Sequence, residues 1–472
     1  MTTATARKQR SESPPVIPAA RPKTAGINGI NGVNGRAALS RQLESLGRLP
    51  ANFNGDDLVP LLSHETEKIR MLAAVNLGKI SDLKFLPSLE KTASKDTSTT
   101  VRREAASAIG RMRDRAAIPT LIRLTRDPDP KVVMQALRGL LAFKTKDKRI
   151  HAALEKLRDH KNEVIQEVIE RERSFDFETS QTRGQQTESP DFMKNLVVQG
   201  DVLSVLKKTP AESVHLTFTS PPYYNARDYS IYSSYKEYLA FLEKVFRQVL
   251  RVTKPGRFFV LNTSPVIVPR VGRQYSSRRY AIPFDIHPIL TRMGWDFVDD
   301  IVWAKPEASV KNRNGGFFQH RKPLAYKPNT RTEYLMVYRK KSLRLIDWNI
   351  HQYNAQQVKK SLVQGDYETS NVWDIDPTYE RDHPAVFPAR LCQRVIQYYS
   401  MTDDLIFDPF GGSGTLGRAA AAMARYFFMT EISPSYINRI KERFGENSDL
   451  FVPEARFVPE RQYAALVKAS KQ

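Results

Sequence analysis

The chain has 472 residues, 41% hydrophobic and 26% charged, which is typical of a globular protein with two or three domains. A net charge of +22 favours a polyanionic partner, because neutralising phosphates releases their counterions. A single cysteine, Cys392, excludes an internal disulfide framework and a cysteine-based metal site, so we expect a cytoplasmic protein without a metal. No apolar stretch is long enough to span a bilayer, and residues 1–50 lack a secretory signal, so no membrane association is expected.

The N-terminal third contains a polar tail and a helical repeat. Residues 1–50 are basic, poor in large apolar side chains and rich in Asn-Gly pairs, which predicts a disordered tail. In residues 51–172, similar stretches begin at Ile69, Val101, Val132 and Val164, at intervals of 32, 31 and 32 residues. This period predicts stacked helix pairs and resembles the HEAT-repeat family. Such a unit offers a surface that binds protein or DNA, or it only makes the neighbouring domain more rigid. Residues 173–193 are predicted to be a linker.

Residues 194–472 alternate between strand and helix patterns. Apolar, β-branched runs predict strands at residues 195–199, 214–219, 257–261, 297–303, 333–338, 405–407 and 426–430. Amphipathic periodicity predicts helices at residues 235–252, 287–293, 388–400 and 415–424. The alternation indicates an α/β domain, with a twisted, mostly parallel sheet and helices on both faces.

The strand predicted at residues 214–219 runs into Thr-Ser-Pro-Pro-Tyr, residues 219–223. Two prolines cannot continue a strand ladder, so the turn leaves a hydroxyl, a backbone carbonyl and an aromatic ring at the carboxyl end of a strand. In open α/β sheets, ligands bind at that edge. A base drawn out of a duplex needs a face to stack on and acceptors for its amino group, and this turn supplies both. The alternative is a proline-rich turn beside a surface tyrosine.

A second motif, Asp-Pro-Phe-Gly-Gly-Ser-Gly-Thr at residues 408–415, lies between a strand and a helix. Its glycines let the backbone approach a ligand, and the helix N-terminus can receive a negative group. Glu431 ends the following strand, where a carboxylate can hold a ribose diol. The Gly-Lys-Ser/Thr of a Walker loop is missing. The glycine loop is also typical of dehydrogenases, and Asp408 is equally suited to capping the helix.

Together these motifs resemble the amino-directed DNA methyltransferases over residues 195–447. Residues 408–414 are similar to the S-adenosylmethionine loop of that family, and residues 219–223 to its catalytic motif. Further similar segments are Gly200-Asp201, residues 303–306, residues 331–334 and His-Pro-Ala-Val-Phe-Pro at residues 383–388. The catalytic motif precedes the cofactor motif, which is the permuted order of the β group. The resemblance implies a Rossmann-like, S-adenosylmethionine-dependent methyltransferase fold.

The resemblance also implies the site residues. The catalytic group would be Ser220, Pro221, Pro222 and Tyr223. The cofactor group would be Asp201, Thr219, Phe387, Pro388, Asp408, Pro409, Phe410, Gly411, Gly412, Ser413, Gly414, Thr415 and Glu431. Within it, Glu431 would hold the ribose, Asp201 would lie near the adenine or its amino group, and Asp408 would hold the methionine part. Methyl donor and acceptor meet only if Tyr223 and the glycine loop flank a single cavity.

The chemistry follows from the exocyclic amine of a base, which is a poor nucleophile. Ser220 Oγ and the Pro221 carbonyl would accept its hydrogens and Tyr223 would stack on the base, so positioning and oriented dipoles supply most of the rate. No covalent intermediate is needed, and Cys392 is expected in the core. In the family, Ser-Pro-Pro-Tyr goes mostly with cytosine N4 and Asp-Pro-Pro-Tyr mainly with adenine N6. Cytosine N4 is therefore predicted; adenine N6 methylation, a silent DNA-binding scaffold and a dehydrogenase are the alternatives.

Double-stranded DNA is the expected partner. Residues 305–344 carry 11 Lys/Arg against Glu307 and Glu333, so residues 305–365 are predicted to be a target-recognition insertion, the alternative being a solvated basic loop. The predicted contacts to phosphates or guanine edges are Lys305, Arg313, Arg321, Lys322, Lys327 and Arg331. No nuclease signature is present, so any restriction endonuclease partner would be a separate chain.

Overall fold

The computed structural model describes residues 36–47, 53–143, 147–178, 186–224, 232–268, 272, 274–275, 277–309, 323–324, 328, 330–342, 344–363, 365, 367–380, 383–445 and 454–470, without the side chains of 173–178, 308 and 379–386. The chain divides into two compact units between residues 178 and 179. In the described part of the chain, no helix is both long and apolar enough to cross a bilayer.

The first unit is built from α-helices joined by short turns. They are α1 (Arg36–Ser45), α2 (Glu67–Ile80), α3 (Leu86–Lys95), α4 (Thr99–Arg111), α5 (Ile118–Leu124), α6 (Pro130–Leu141), α7 (Lys148–Glu155) and α8 (Glu163–Glu178). The repeated stretches fall on α2, α4, α6 and α8. Ile69, Val101 and Val132 are fully buried, whereas Val164 is 51% exposed and Ile165 is buried instead. The fourth repeat is therefore shifted by one residue from the predicted alignment.

Two boundaries differ from the predicted ones. Residues 36–45, assigned to a disordered tail, form α1, because Leu43 is buried against the helical core and its carbonyl accepts a hydrogen bond from Asn76 Nδ2 at 3.0 Å. Residues 1–35 and 48–50 of that tail lie outside the described residues. The predicted linker, residues 173–193, begins inside α8, which ends at Glu178.

Small residues let the repeat helices pack closely. A Cβ atom on Gly78 would lie 2.8 Å from Ala108, and one on Gly110 would lie 3.1 Å from the Cα atom of Gly139. Either glycine could be replaced only if a neighbouring helix moved. Ala73, Ala105 and Ala136 occupy equivalent positions, four residues after the start of the first three repeats, and all are fully buried.

Arginine–aspartate pairs connect successive repeats. Arg70 binds Asp96 at 2.7 and 3.0 Å, and Arg102 binds Asp127 at 2.9 and 3.2 Å. Arg102 also donates to the carbonyl oxygen of Asp96 at 3.0 Å, which joins the two pairs. Burial acts to raise the pKa of Asp96, but the hydrogen bonds from Arg70 and the Ser98 N–H, together with the charges of Arg70 and Arg102, lower the pKa overall.

The second unit contains a nine-stranded sheet. Its strands are β1 (Leu196–Gln199), β2 (Val214–Thr219), β3 (Thr253–Thr263), β6 (Trp295–Ala304), β7 (Thr332–Lys340), β8 (Val372–Asp374), β11 (Leu405–Asp408), β12 (Tyr426–Glu431) and β13 (Arg456–Pro459). Two separate pairs are β4 (Val266–Val268) with β5 (Arg278–Tyr280), and β9 (Thr378–Glu380) with β10 (His383–Val386). The strand order is β13-β1-β12-β11-β2-β3-β7-β6-β8. Only β7 runs antiparallel to its neighbours in this sheet, so the predicted mostly parallel sheet is confirmed.

Helices cover both faces of the sheet. They are α9 (Val202–Lys208), α10 (Tyr235–Val252), α11 (Ile282–Met293), α12 (Ile346–Ile350), α13 (Ala355–Ser361), α14 (Ala389–Tyr399), α15 (Thr415–Ala422), α16 (Pro434–Gly445) and α17 (Glu460–Ala469). One core contains residues of α9, α10, α11 and α17, and the other contains residues of α14, α15 and α16. The predicted Rossmann-like α/β class is confirmed.

The central strands differ from prediction mainly at their ends. β3 begins at Thr253, four residues before the predicted start, and Gly256 has φ +72° within it. The register of β2 with β3 shifts between Val214 and Leu216, so the Lys-Pro-Gly segment, residues 254–256, is accommodated within β3 as a bulge. The final strand β13 and helix α17 were not predicted.

Candidate functional site

The two motifs lie side by side at one edge of the sheet. β2 and β11 are parallel neighbours, with Leu216 opposite Ile406, so the loops that follow them leave the sheet together. The Thr219 hydroxyl at the end of β2 donates to Asp408 Oδ1 at the end of β11, at 2.7 Å. Both loops line one cavity of about 450 Å³. The structure thus brings the ring of Tyr223 and the glycine loop to a single cavity.

Asp408 is buried where the two loops meet. Its Oδ1 atom accepts from Thr219 and from the Phe410 N–H at 3.0 Å. Burial raises the pKa of Asp408 to about 7, although these two hydrogen bonds act in the opposite direction. The N-cap of α15 is Gly414, not Asp408, so the helix-capping alternative for Asp408 is wrong. The carboxyl group instead connects the glycine loop to β2.

The glycine loop is shaped by backbone that favours glycine. Gly412 and Gly414 have φ +50° and +77°. A Cβ atom on Gly411 would lie 3.3 Å from the Thr430 carbonyl oxygen, so this part of the loop lies against β12. The loop therefore exposes backbone to the cavity at the start of α15.

Glu431 forms the neighbouring wall at the end of β12. Its two carboxylate oxygens accept the backbone N–H groups of Gly412 and Ser433, each at 2.8 Å. Burial raises the pKa of Glu431, and the backbone hydrogen bonds act against that shift. The carboxylate is thereby held in one orientation at the cavity.

The target side of the cavity is the loop of Ser220, Pro221, Pro222 and Tyr223, all of which line it. The Tyr223 hydroxyl donates to Glu333 Oε2 on β7 at 3.0 Å. Burial raises the pKa of Tyr223 well above its usual value, and the charge of Glu333 adds to this rise. The phenol therefore stays protonated, so Tyr223 is a fixed aromatic surface and not a general base.

Glu333 has two more partners. Asn262 Nδ2 on β3 donates to the same oxygen as Tyr223, at 2.7 Å, and the Lys305 ammonium contacts Oε1. The Lys305 ammonium also lies 4.4 Å from the centroid of the Trp303 ring. Lys305, predicted to contact DNA, thus has its charge neutralised inside the protein. Sequence reasoning missed the role of Glu333, although residues 331–334 resemble a motif of the family.

Most predicted cofactor residues line the cavity. They are Asp201, Phe387, Asp408, Pro409, Phe410, Gly411, Gly412, Ser413, Thr415 and Glu431. Thr219, Pro388 and Gly414 are outside the lining: Thr219 supports Asp408, Pro388 is the N-cap of α14, and Gly414 is the N-cap of α15. The Phe387 ring stacks on Phe218 with centroids 4.6 Å apart, which fixes it at the wall.

Asp201 combines two positions. Its side chain accepts the Ser204 N–H at 2.9 Å and so caps α9, while the residue also lines the cavity. A ligand contact of the second carboxylate oxygen is compatible with this arrangement, since Oδ1 makes the cap.

Ten further residues line the cavity without having been predicted as site residues: Gly200, Val202, Tyr232, Phe241, Leu416, Thr430, Ile432, Ser433, Ser435 and Tyr436. Ile432 directly follows Glu431 and is 67% exposed, so it presents a large apolar side chain at the cavity. Gly200, Leu416, Thr430 and Ser433 lie within two residues of predicted site residues, whereas Tyr232 and Phe241 come from the start of α10 and the segment before it and reach the cavity only through the tertiary fold.

The predicted DNA contacts are only partly described. Arg313, Arg321, Lys322 and Lys327 lie outside the described residues. Arg331 is exposed, and its Nε donates to the Lys305 carbonyl oxygen at 2.9 Å. Neither Lys305 nor Arg331 lines the cavity.

Cys392 lies in α14, fully buried among apolar side chains. Burial raises the pKa of its thiol well above the usual value, which disfavours the thiolate. The expected core position of Cys392 is confirmed.

The cavity suits an elongated polar ligand with an aromatic end. Its volume falls within the range of about 300–1,000 Å³ of small-molecule sites. Glu431 offers a carboxylate for a diol, the glycine loop offers close backbone approach, and Phe387, Phe410 and Ile432 offer apolar surface. These groups fit S-adenosylmethionine.

Comparison with known proteins yields two family matches. Residues 214–442 match a family described as DNA methylase. Residues 86–171 match HEAT repeats, which confirms the repeat family predicted for the first unit.

Three relatives align with the second unit. The Type II methyltransferase M.ScaI of Streptomyces caespitosus is 30% identical over 258 residues, covering 52% of this chain and 79% of that protein. The DNA adenine methyltransferase YhdJ of Escherichia coli K12 is 28% identical over 294 residues, covering 58% and 91%. The Type II beta methyltransferase M.BslI of Bacillus sp. NEB-606 is 28% identical over 257 residues, but the chain spans only 27% of its length.

Among solved structures, the chain is similar to a protein of Thermus thermophilus described as a DNA modification methylase in complex with S-adenosyl-L-methionine. The identity is 28%, the TM-score is 0.44, and the match covers 56% of this chain and 96% of that one.

Proposed function

This chain belongs to the DNA methylase family, and we propose that it transfers the methyl group of S-adenosylmethionine to the exocyclic N4 atom of cytosine in double-stranded DNA. The observation that carries this proposal is the single cavity between the Ser220–Tyr223 side and the glycine loop, closed at its base by the hydrogen bond from Thr219 to Asp408. A methyl donor on one wall and a target amine on the other are then brought together.

The donor wall orients the cofactor. Bound S-adenosylmethionine would supply a methyl group on a sulfonium sulfur: the N–C bond forms as the S–C bond breaks, the sulfur keeps the electron pair as a neutral thioether, and the amine releases one proton to water. The Glu431 carboxylate accepts hydrogen bonds from a ribose diol, and the backbone of the glycine loop approaches the methionine part. Asp408, held by Thr219 and the Phe410 N–H, fixes the loop in the shape that allows this approach.

The target wall prepares the amine. Ser220 Oγ and the Pro221 carbonyl oxygen accept its two hydrogens, so the nitrogen lone pair is directed toward the donor wall. Tyr223 stacks on the extruded base, and its hydroxyl is already bound to Glu333. Catalysis is therefore mainly positioning together with oriented dipoles.

No covalent base adduct takes part in this chemistry. Methylation at carbon 5 of cytosine needs a thiolate nucleophile, whereas Cys392 is buried in α14 and its thiol pKa is raised. Direct transfer to an exocyclic nitrogen needs only acceptors and a stacking surface, which the target wall provides.

The choice of base rests on residue 220. A serine there, in place of the aspartate of Asp-Pro-Pro-Tyr, favours cytosine N4 within the family. Adenine N6 is the second candidate, because a relative with 28% identity is named as a DNA adenine methyltransferase. Both amines lie in the same relative position on their bases, so the two reactions need the same wall.

The base specificity is tested by expressing the protein in a host without DNA methylation, digesting the DNA to nucleosides and separating them by mass spectrometry. We expect N4-methylcytosine, and we expect it to disappear in Ser220→Ala. N6-methyladenine as the only product would replace cytosine with adenine as the target. Absence of both nucleosides, with purified protein that still binds S-adenosylmethionine by calorimetry, would overturn DNA methylation itself.

A further inference from the structure

A small hairpin lies next to the target wall. β4 and β5 pair antiparallel, with Val266 opposite Tyr280 and Val268 opposite Arg278. β4 follows β3 after only two residues, so the hairpin leaves the sheet at the edge where the cavity opens. Residues 266–280 contain four arginines and no acidic residue. The hairpin is therefore strongly basic, although it lies outside the segment predicted to recognise DNA.

Tyrosine packing fixes the hairpin to the target loop. The Tyr280 ring lies 4.8 Å from the ring of Tyr224 and 4.6 Å from that of Tyr235, measured between centroids. Tyr224 directly follows Tyr223 in sequence and is only 7% exposed. Tyr223 and Tyr280 also pack against the same hydrophobic core, so the hairpin and the target wall are held together.

The charges of this hairpin are available to a ligand. Arg278 and Arg279 are both exposed, and in the described part of the chain neither forms an ion pair within 4 Å. The Arg278 guanidinium carbon lies 4.9 Å from the centroid of the Tyr280 ring, so a cation–π contact holds this charge on the hairpin. Lys305, by contrast, is neutralised by Glu333.

We propose that Arg278 and Arg279 bind backbone phosphates of the DNA duplex beside the target base, a proposal that rests on the DNA methyltransferase function above. A guanidinium matches phosphate geometry through two parallel N–H donors. Contacts to phosphates fix the register of a protein on the duplex without reading its sequence. The tyrosine cluster transmits that register to the catalytic loop, so the hairpin places the duplex where its flipped base meets Tyr223.

The test is the salt dependence of DNA binding by the full chain, measured by fluorescence anisotropy with a labelled duplex. Each phosphate contact contributes about 0.9 to the slope of log K against log salt concentration. Arg278→Ala/Arg279→Ala should lower the magnitude of that slope by about 1.8. If the variant and the wild type bind equally at 1 M salt, where the counterion contribution vanishes, this slope change weakens binding roughly 30-fold at 0.15 M salt. The Kd for S-adenosylmethionine, measured by calorimetry, should not change.

The matched control is Arg461→Ala/Lys468→Ala, which removes the same charge from exposed positions on α17; this helix follows the edge strand β13, and four strands lie between β13 and β3. We expect its slope to equal that of the wild type. Equal slopes for both double variants and the wild type would overturn the proposal. A slope lowered equally in both would show an effect of net charge alone and would also overturn it.

A second variant separates phosphate binding from other roles. Arg278→Lys/Arg279→Lys keeps both charges, so the salt slope should return to within about 0.5 of the wild-type value. Loss of slope in the lysine variant as well would contradict phosphate neutralisation.

These outcomes are independent of which base is methylated. If the nucleoside analysis finds N6-methyladenine, the cytosine proposal fails while the slope change still supports the hairpin contact. If N4-methylcytosine is found but the arginine variant keeps its slope, the hairpin proposal fails alone. A wild-type chain that binds no duplex would overturn the hairpin contact directly.

Discussion

The Tyr223 hydroxyl donates to Glu333 Oε2 at 3.0 Å, a contact that joins two residues 110 positions apart and fixes the aromatic ring of the target wall. Two more side chains bind the same carboxylate: Asn262, which lies in β3, and Lys305, which directly follows β6. The ring therefore has a second attachment besides its own loop, and that attachment comes from the start of β7. A stacking surface held in this way is formed before any base arrives.

Glu333→Ala should lower kcat about tenfold or more, as expected for losing a hydrogen bond worth about 1–2 kcal/mol at a positioning residue. The KM for S-adenosylmethionine should stay the same, because Glu333 does not line the cavity. Glu333→Gln keeps an acceptor for Tyr223 and should recover most of kcat. Steady-state kinetics with a defined duplex measure both effects.

The exposed neighbour Glu307 provides the control for Glu333. Glu307→Gln removes a negative charge two residues from Lys305 without touching Tyr223, and its kcat should equal that of the wild type. An increase in KM for S-adenosylmethionine in Glu333→Ala would indicate a cofactor role and contradict positioning of the target wall.

Asp408→Asn should alter how stability depends on pH in the cofactor-free protein. Burial raises the pKa of Asp408 from its ordinary 3.8 to about 7, so the native state binds a proton more tightly than the unfolded state does. The contribution of this group is fully present below pH 3.8 and is lost as pH rises toward 7, at up to about 1.4 kcal/mol per pH unit. Asparagine lacks this dependence but keeps the acceptor for Thr219.

The measurement is the unfolding free energy of the wild type and of Asp408→Asn in urea between pH 4 and 8. The difference should move in favour of the variant as pH rises through this window. A constant difference would show that the Asp408 carboxyl group is not buried as described.

Cys392→Ala should retain methyltransferase activity, because the thiol packs in a core and takes no part in transfer. A stability loss of about 1–2 kcal/mol is expected from the small cavity left behind. The native wild-type thiol should react with a thiol reagent only after unfolding, since it is fully buried. A rapid native reaction together with loss of activity would contradict the core assignment.

Arg102→Ala should weaken the first unit by about 3 kcal/mol, since it leaves Asp127 buried without its partner. The side chains of Arg102 and Asp127 are 12% and 7% exposed. Hydrogen exchange of α4 and α6 in the full chain should become markedly faster. Lys84→Ala is the control: it breaks an ion pair with Asp56 that is exposed on both sides, and should change exchange little. A similar increase in the hydrogen-exchange rate for both variants would show that the buried Arg102–Asp127 pair stabilises the first unit no more than the exposed pair does.

Features that depend on local chemistry could be predicted from sequence. The alternating apolar residues predicted both ends of β2 correctly, and the glycines after Asp408 predicted the loop that follows β11. Two motifs at strand ends were enough to predict that both face one cavity, because parallel strands present their carboxyl ends at one edge.

Features that depend on distant pairing could not be predicted. Glu333 has an ordinary strand context, and nothing near it in sequence points to Tyr223. The hairpin of β4 and β5 lacks a short turn signal, since its strands are three residues each and are separated by nine residues. In the first unit, Val164 is exposed and its neighbour Ile165 is buried. Because both residues are apolar, the sequence does not show which of them begins the fourth repeat.

The position of β11 between β2 and β12 has a consequence for biosynthesis. Leu216 of β2 pairs with Ile406 of β11, which is 190 residues later in the sequence, so this part of the sheet cannot form until β11 has been synthesised. Most of the second unit must therefore be synthesised before the pocket for the methyl donor can form. The contacts of each helical repeat, by contrast, span only about one repeat in sequence and can form early. A nascent chain therefore lacks this cavity until β11 and β12, residues 405–431, have been synthesised, and unfinished copies cannot hold a methyl donor.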